Sequence, residues 1–217
     1  MQNKYFGDIH DFYKYFLLKH ISGYFSIGIN WCLIKDENSN DGNKKLRKIE
    51  KDKDTTLYSI LNNSENILGI NAYFSKKVGY FDNIYEHYFL NSVYQKKAFD
   101  KLNKKDIIFF DPDNGLEVIS TNNKNKYKYL SYDTIEKYWT NGNSMIIYQH
   151  LSRDKNALDN ITQKIEELLN CSRHGNIKFI KKGNVAYIFI MQKKHFLLHD
   201  VIANFVNKNS EYSIYDI

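Results

Sequence analysis

Proline and cysteine are both scarce in this chain of 217 residues: Pro112 is the single proline, and Cys32 and Cys171 are the only cysteines. Two cysteines so far apart support neither a disulfide framework nor a zinc site, so we expect both to be small buried hydrophobic residues. No apolar run approaches the length of about 18 residues that a membrane span needs. The first residues carry acidic groups where a signal peptide has an apolar stretch. We therefore expect a cytoplasmic protein with no membrane partner.

Charge is unbalanced toward the positive side, with a formal net charge of +6. This excess favours an anionic partner, and nucleic acid or a nucleotide is the leading candidate, although the many lysines also follow a general Asn/Lys/Tyr/Ile bias. With 42% hydrophobic residues, the chain is long enough to bury a full core. We expect a single α/β domain over residues 1–217 with a flexible or inserted segment at 35–85. The oligomeric state is not indicated.

Hydrophobic periodicity predicts helices that alternate with strands. The predicted helices cover 8–21, 54–61, 85–102, 133–139, 158–169 and 195–207. The predicted strands cover 26–34, 107–110, 144–150, 177–181 and 185–192, and the last two form a hairpin around Lys182-Gly183-Asn184. This order predicts a Rossmann-like, open, mostly parallel sheet with a C-terminal β-hairpin and helices on both faces. Ligands bind such sheets outside the carboxyl ends of the strands.

The segment Asp-Pro-Asp-Asn-Gly-Leu-Glu at 111–117 follows the most strand-like run of the chain. It is the sequence of a strong β-turn, because proline fixes φ and Asn-Gly accepts the left-handed conformation. Alternatively, Asp111, Asp113 and Glu117 are three carboxylates that can bind Mg²⁺ and support phosphodiester cleavage. The position after a buried strand favours a functional site over a simple turn.

The segment Tyr-Gln-His-Leu-Ser-Arg at 148–153 follows a second buried strand. His150 is a candidate general base there, and Arg153, one of three arginines in a lysine-rich chain, is a candidate clamp for phosphate or carboxylate. Alternatively, either side chain has a purely structural role at the end of the strand. Asp8, at the start of the first predicted helix, is a candidate helix cap.

Two blocks of sequence resemble a known family. A parallel sheet closed by a C-terminal hairpin, with an acidic residue and proline just after the fourth main strand, resembles the class I S-adenosylmethionine-dependent methyltransferases. Amino-group methyltransferases of that class carry an Asp/Asn-Pro-Pro-aromatic motif at this place. Gly-Asp-Ile-His-Asp-Phe-Tyr-Lys-Tyr at 7–15 is similar to the Gly-Asn-x-x-Asp-x-x-Lys-His opening of the large-subunit ribosomal RNA adenine N6-methyltransferases. The resemblance covers the order of elements along nearly the whole chain, whereas its motifs match in part.

The resemblance implies S-adenosylmethionine as cofactor and an amino group of a nucleic-acid base as methyl acceptor. The residues with an implied catalytic role are Asp111, which orients the acceptor nitrogen, Lys14, Asn114 and His150. The implied cofactor-binding residues are Asp8, Asp11, Asp36 and Gly42. The implied contacts to substrate or phosphate are Tyr148 and Arg153.

The chain departs from the family pattern at two places. Asp113 and Asn114 stand where the family has its second proline and stacking aromatic residue, so a base would stack on another ring, such as Phe6, Tyr13 or Tyr148. The loop after the first strand has one glycine, Gly42, where the family has several. Two alternatives therefore stay open: a Mg²⁺-dependent phosphodiesterase or nuclease that uses Asp111, Asp113 and Glu117, and a non-catalytic nucleotide-binding member of the fold.

Overall fold

The computed structural model describes residues 2–35, 45–65, 67–74, 78–81, 92–118, 124–151, 156–171 and 173–215. Within these ranges the strands are β1 (Ile27–Asn30), β2 (Val78–Phe81), β3 (Ile107–Phe110), β4 (Ser144–His150), β5 (Ile177–Lys182), β6 (Val185–Ile190) and β7 (Ser213–Tyr215). The α-helices are α1 (Ile9–Ser22), α2 (Lys48–Lys53), α3 (Thr55–Asn63), α4 (Ser92–Leu102), α5 (Tyr132–Thr140), α6 (Ala157–Leu169), α7 (Arg173–Asn176) and α8 (Leu197–Lys208). The protein is thus an α/β protein, as predicted.

All seven strands form one open sheet in the order β2-β1-β3-β4-β6-β5-β7. The pairs β2–β1, β1–β3 and β3–β4 are parallel, whereas β4–β6, β6–β5 and β5–β7 are antiparallel. The prediction of a mostly parallel sheet was wrong, because the sheet is evenly mixed. The predicted hairpin supplies two of the antiparallel pairs. The third comes from β7, a short C-terminal strand whose residues carry no strand periodicity and which pairs with β5.

Local sequence signals account for most element boundaries. Asp8 caps α1 as predicted, and its side chain accepts hydrogen bonds from the backbone N–H groups of His10 and Asp11. Strands β3 and β4 have the predicted ends: β3 is an apolar run bounded by polar residues, and β4 has an apolar run at 145–148 with polar residues at both of its ends. The first strand is shorter than the predicted 26–34. It ends at Asn30, and Cys32 then adopts a positive φ of 48°, which no extended strand accommodates.

Apolar side chains pack on both faces of the sheet. One face carries α1, α3 and α8 through residues such as Phe12, Leu57 and Phe205, which are almost completely buried. The other face carries α4, α5 and α6. The described part of segment 35–85 thus contributes to the core through α3 and to the sheet through β2.

Cys32 is buried, as predicted, and Cys171 is partly buried. Among the described helices, none combines the length and the apolar character that would allow it to cross a membrane.

Candidate functional site

An ionic cluster lies at the carboxyl ends of the parallel strands, where α/β sheets bind ligands. Lys14, on the first turns of α1, places its Nζ atom 2.9 Å from Asp11 Oδ1 and 2.5 Å from Asp111 Oδ2. Asp111 directly follows β3. All three residues are almost completely buried, with exposed fractions of 4% for Lys14 and 2% for each aspartate. We refer to Asp11, Lys14 and Asp111 as the Lys14 triad.

The start of α1 holds Asp11 in place. The Asp11 Oδ2 atom accepts a hydrogen bond of 2.9 Å from the Gly7 N–H, while Asp11 Oδ1 accepts from Lys14. Gly7 has φ +90°, and a Cβ at this position would lie 2.5 Å from the carbonyl oxygen of Leu61. Only glycine fits such a turn without a shift of the backbone. The glycine of the N-terminal block therefore has a structural reason, which is to close the loop onto Asp11.

The turn after β3 is fixed from the neighbouring strand. Pro112 lacks an N–H group and so cannot continue the strand ladder beyond Asp111. Gly115 has φ +87°, and a Cβ there would lie 2.4 Å from the side chain of Gln149. The Gln149 Oε1 atom accepts a hydrogen bond of 2.8 Å from the Leu116 N–H. Gln149, on β4, is therefore one of the residues that hold the turn that follows Asp111.

The cluster contains more acidic than basic groups, because two carboxylates contact one ammonium. Burial alone would lower the pKa of Lys14, but the nearby Asp11 and Asp111 carboxylates outweigh it and hold that pKa well above its usual value. Burial raises the pKa of Asp11 to about 6, although Lys14 acts in the opposite direction. Lys14 therefore stays charged at neutral pH, whereas Asp11 exchanges a proton near neutrality.

Tyr148 and His150 lie beside the triad at the end of β4. The Lys14 Nζ atom is 4.7 Å from the centre of the Tyr148 ring, a distance at which a cation is attracted to the ring face. Burial holds the pKa of the Tyr148 hydroxyl well above its usual value. His150 is exposed, and its ring contacts the Tyr148 ring edge to face at 5.2 Å. The cluster thus unites the two predicted blocks with the end of β4.

Several other predicted site residues have structural partners. Gln2 donates a hydrogen bond of 3.2 Å to Asp113 Oδ2, and the backbone N–H of Tyr132 donates one of 2.9 Å to Glu117 Oε1. The backbone N–H of Asn114 donates to the carbonyl oxygen of Lys128. Among the described residues, no three His, Cys, Asp or Glu side chains form a group that could hold a metal ion.

Some of the predicted residues lie outside the described ranges, namely Asp36, Gly42 and Arg153. Of the three aromatic rings predicted as base platforms, Tyr13 and Tyr148 are buried, at 3% and 4% exposure, whereas Phe6 is half-buried.

Sequence reasoning missed Gln2 and Gln149. Both are neutral amides without a motif of their own, and their importance arises from contacts with residues 111 and 33 positions away in the chain. A buried glutamine near the end of an apolar strand was the one available signal, since a buried amide needs hydrogen-bond partners.

The fold and the site together define an α/β protein with a buried ionic cluster at the carboxyl ends of its parallel strands. Comparisons with models of protein families, with curated proteins and with solved structures found no match for this chain.

Proposed function

We propose that this protein is an S-adenosylmethionine-dependent methyltransferase that acts on an amino group of a nucleic-acid base. The observation that carries the proposal is the 2.5 Å contact between Lys14 and Asp111, which are 97 positions apart in the chain. This contact joins the two blocks of sequence on which the resemblance to methyltransferases is based. It lies at the edge of the sheet where ligands of α/β proteins bind.

The chemistry of the cluster suits a cationic ligand. With two carboxylates and one ammonium, the Lys14 triad has a net negative charge when both carboxylates are ionised, and Asp8 adds a further carboxylate nearby. A positively charged sulfonium and an amine that becomes cationic during methylation are both attracted to such a site.

In this mechanism the cofactor, when bound, supplies a methyl group that is already activated. The protein contributes position and charge. Asp111 orients the acceptor nitrogen and stabilises the positive charge that develops on it. Lys14 fixes the Asp111 carboxylate through its short contact, and Tyr148 covers Lys14 and keeps water from it. For the alternative phosphodiesterase function, the described residues contain no group of three His, Cys, Asp or Glu side chains that could hold a metal ion.

The first experiment is calorimetric titration of the purified protein with S-adenosylmethionine and S-adenosylhomocysteine, with Mg²⁺ and with a chelator. We expect saturable binding of both that is independent of metal. Transfer of labelled methyl groups to RNA and DNA then tests the reaction. Binding without any transfer would support the non-catalytic alternative, and cleavage of nucleic acid that the chelator abolishes would support the phosphodiesterase alternative.

The role of Asp111 is tested by Asp111→Asn, with Asp52→Asn as control, because Asp52 is exposed on α2 and remote from the triad in sequence. We expect Asp111→Asn to reduce the rate of methyl transfer by about 100-fold or more, as loss of a positioned group does in other enzymes. Asp52→Asn should react like the unchanged protein. Absence of binding to either cofactor, or full methyl transfer by a folded Asp111→Asn variant, would overturn the proposal.

A further inference from the structure

Two Lys–Tyr pairs belong to segments that are hydrogen-bonded to the turn that follows Asp111. In the first pair, Lys4 Nζ lies 4.6 Å from the centre of the Tyr5 ring. In the second pair, Lys128 Nζ lies 5.9 Å from the centre of the Tyr127 ring. We call these four residues, with the exposed Lys124 and Lys126, the Lys–Tyr rim.

Hydrogen bonds attach both halves of the rim to the same turn. Gln2, which precedes the Lys4 pair, donates its side-chain amide to Asp113. In the second half of the rim, the Asn114 N–H donates to the carbonyl oxygen of Lys128 at 3.0 Å, and the Leu130 N–H donates to the carbonyl oxygen of Gly115 at 2.9 Å. The two halves lie on separate short 3-10 helices, Asn3–Tyr5 and Lys126–Lys128, and these hydrogen bonds attach both helices to the residues that follow Asp111.

The composition of the rim is unusual within the chain. Residues 124–129 read Lys-Asn-Lys-Tyr-Lys-Tyr and contain no acidic residue. Ammonium groups neutralise phosphates, and aromatic faces stack with bases whatever their sequence. A lysine-rich turn alone would be an ordinary solvated surface. Here, however, the lysines alternate with tyrosines beside a buried ionic site.

We infer that the Lys–Tyr rim binds single-stranded nucleic acid and thereby presents an unpaired base to the site at Asp111. The inference rests on the proposed function for the placing of the base, whereas binding to the rim can be measured separately. The lysines contact phosphates, and Tyr5 and Tyr127 stack with bases on either side. The carboxylates of Asp113 and Glu117 repel phosphates, so the strand backbone follows the rim and a base faces the turn.

A single strand is required because of the depth of the site. The Lys14 triad is buried, and bases inside a duplex hide both their faces and most of their edges from a protein. Tyrosine rings stack with bases only when these are unstacked from their own neighbours. RNA and DNA single strands share this chemistry, so the experiment includes one of each.

The test measures fluorescence anisotropy of labelled oligothymidylate and oligouridylate of about 15 nucleotides, and of a duplex of the same length, over a series of salt concentrations. We expect both single strands to bind more tightly than the duplex. A Lys124→Gln/Lys126→Gln/Lys128→Gln variant should bind at least tenfold more weakly, and its salt dependence should be lower by about 2 units of slope, since each lost phosphate contact removes about 0.7. Tyr127→Ala should weaken binding about fivefold or more.

The chain offers a matched control in Lys181 and Tyr215, another Lys–Tyr pair with Lys181 Nζ 4.4 Å from the ring centre. Tyr215 lies on β7, four strands from β3 in the sheet, which is about 19 Å at the usual strand spacing. Lys181→Gln and Tyr215→Ala should bind single strands like the unchanged protein. Equal weakening by these control variants would mean that binding is diffuse, and the inference would be wrong.

Failure of this inference and failure of the proposed function have different signatures. If the protein binds S-adenosylmethionine but rim variants bind single strands as well as the unchanged protein does, the rim has no such role and the methyltransferase proposal stands. If single strands bind in a rim-dependent way but neither cofactor binds, the rim is a nucleic-acid surface and the methyltransferase proposal falls. Duplex binding as tight as single-strand binding would overturn the inference.

Discussion

Replacement of Lys14 by methionine should destabilise the fold strongly at neutral pH. The Asp11 and Asp111 oxygens that contact Lys14 Nζ, at 2.9 and 2.5 Å, lie at most about 5.4 Å apart. At such a separation, two like charges repel by about 3 kcal/mol at an effective dielectric constant of about 20. Removal of one partner of a buried ion pair typically costs about 3–5 kcal/mol. We therefore expect Lys14→Met to lower the free energy of unfolding by about 3–5 kcal/mol near pH 7.5.

The loss of unfolding free energy in Lys14→Met, called the deficit below, should depend on pH, because protonation of one carboxylate relieves the repulsion between Asp11 and Asp111. The pKa of Asp11 is about 6 with Lys14 present, and loss of the ammonium raises it further. Near pH 5 one of the two carboxylates of Lys14→Met is therefore protonated, and the deficit should shrink by about 1 kcal/mol or more. Urea unfolding followed by circular dichroism at both pH values measures the two deficits.

Two further variants make this result interpretable. Lys48→Met replaces an exposed lysine and should change the free energy of unfolding by less than about 0.5 kcal/mol. Lys14→Met/Asp111→Asn removes one of the facing carboxylates and should recover a large part of the loss, so it carries the test if the single variant fails to fold. A deficit below about 1 kcal/mol at neutral pH, or one that is equal at both pH values, would refute the electrostatic reasoning.

Two other predictions concern residues that hold the site together. Asp11 binds a proton on folding at pH values between its usual pKa of 3.8 and about 6, so its contribution to the free energy of unfolding falls by about 3 kcal/mol as pH rises through this window. The Asp11→Asn variant should lack that fall. Parallel profiles of unfolding free energy against pH for the two proteins would contradict the assignment. Gln149→Leu leaves the buried Leu116 N–H without its acceptor and should cost about 1–3 kcal/mol in urea unfolding, whereas Gln163→Leu, on the exposed face of α6, should cost little.

Much of the fold follows from local sequence signals. The ends of β3 coincide with the ends of an apolar run, and α1 begins after Asp8 because an aspartate can cap the first N–H groups of a helix. Where tertiary contacts decide, the sequence was a weaker guide. Strand β7 has little hydrophobic periodicity, and its place is determined by its pairing with β5.

Only part of the candidate site could be predicted from the sequence. The resemblance brought Lys14 and Asp111 to one site, and the structure places them in contact. The i, i+3 spacing of Asp11 and Lys14 on α1 is a local signal for one of the two ion pairs. Nothing local indicates that Lys14 also meets Asp111, because that contact depends on the docking of α1 against the end of β3. The part played by Gln149 was equally hidden, since its partner, the Leu116 N–H, is a backbone group of the kind that every residue but proline has.

The antiparallel hairpin, which makes the sheet mixed, also explains why a rigid site can form at this edge. Strand β3 ends at Phe110, opposite Ile147, but β4 continues for three more residues. Strand β4 pairs with β6 from Met145 onward, and its last three residues, Tyr148 to His150, pair with β6 alone, opposite Tyr187 to Val185. These residues lie beside Asp111. The Tyr148 ring packs against Lys14 Nζ, and the Gln149 side chain accepts a hydrogen bond from the turn that follows Asp111. A strand end without such pairing would fray. The pairing with the hairpin therefore holds the end of β4, and with it Tyr148, in place beside the Lys14 triad.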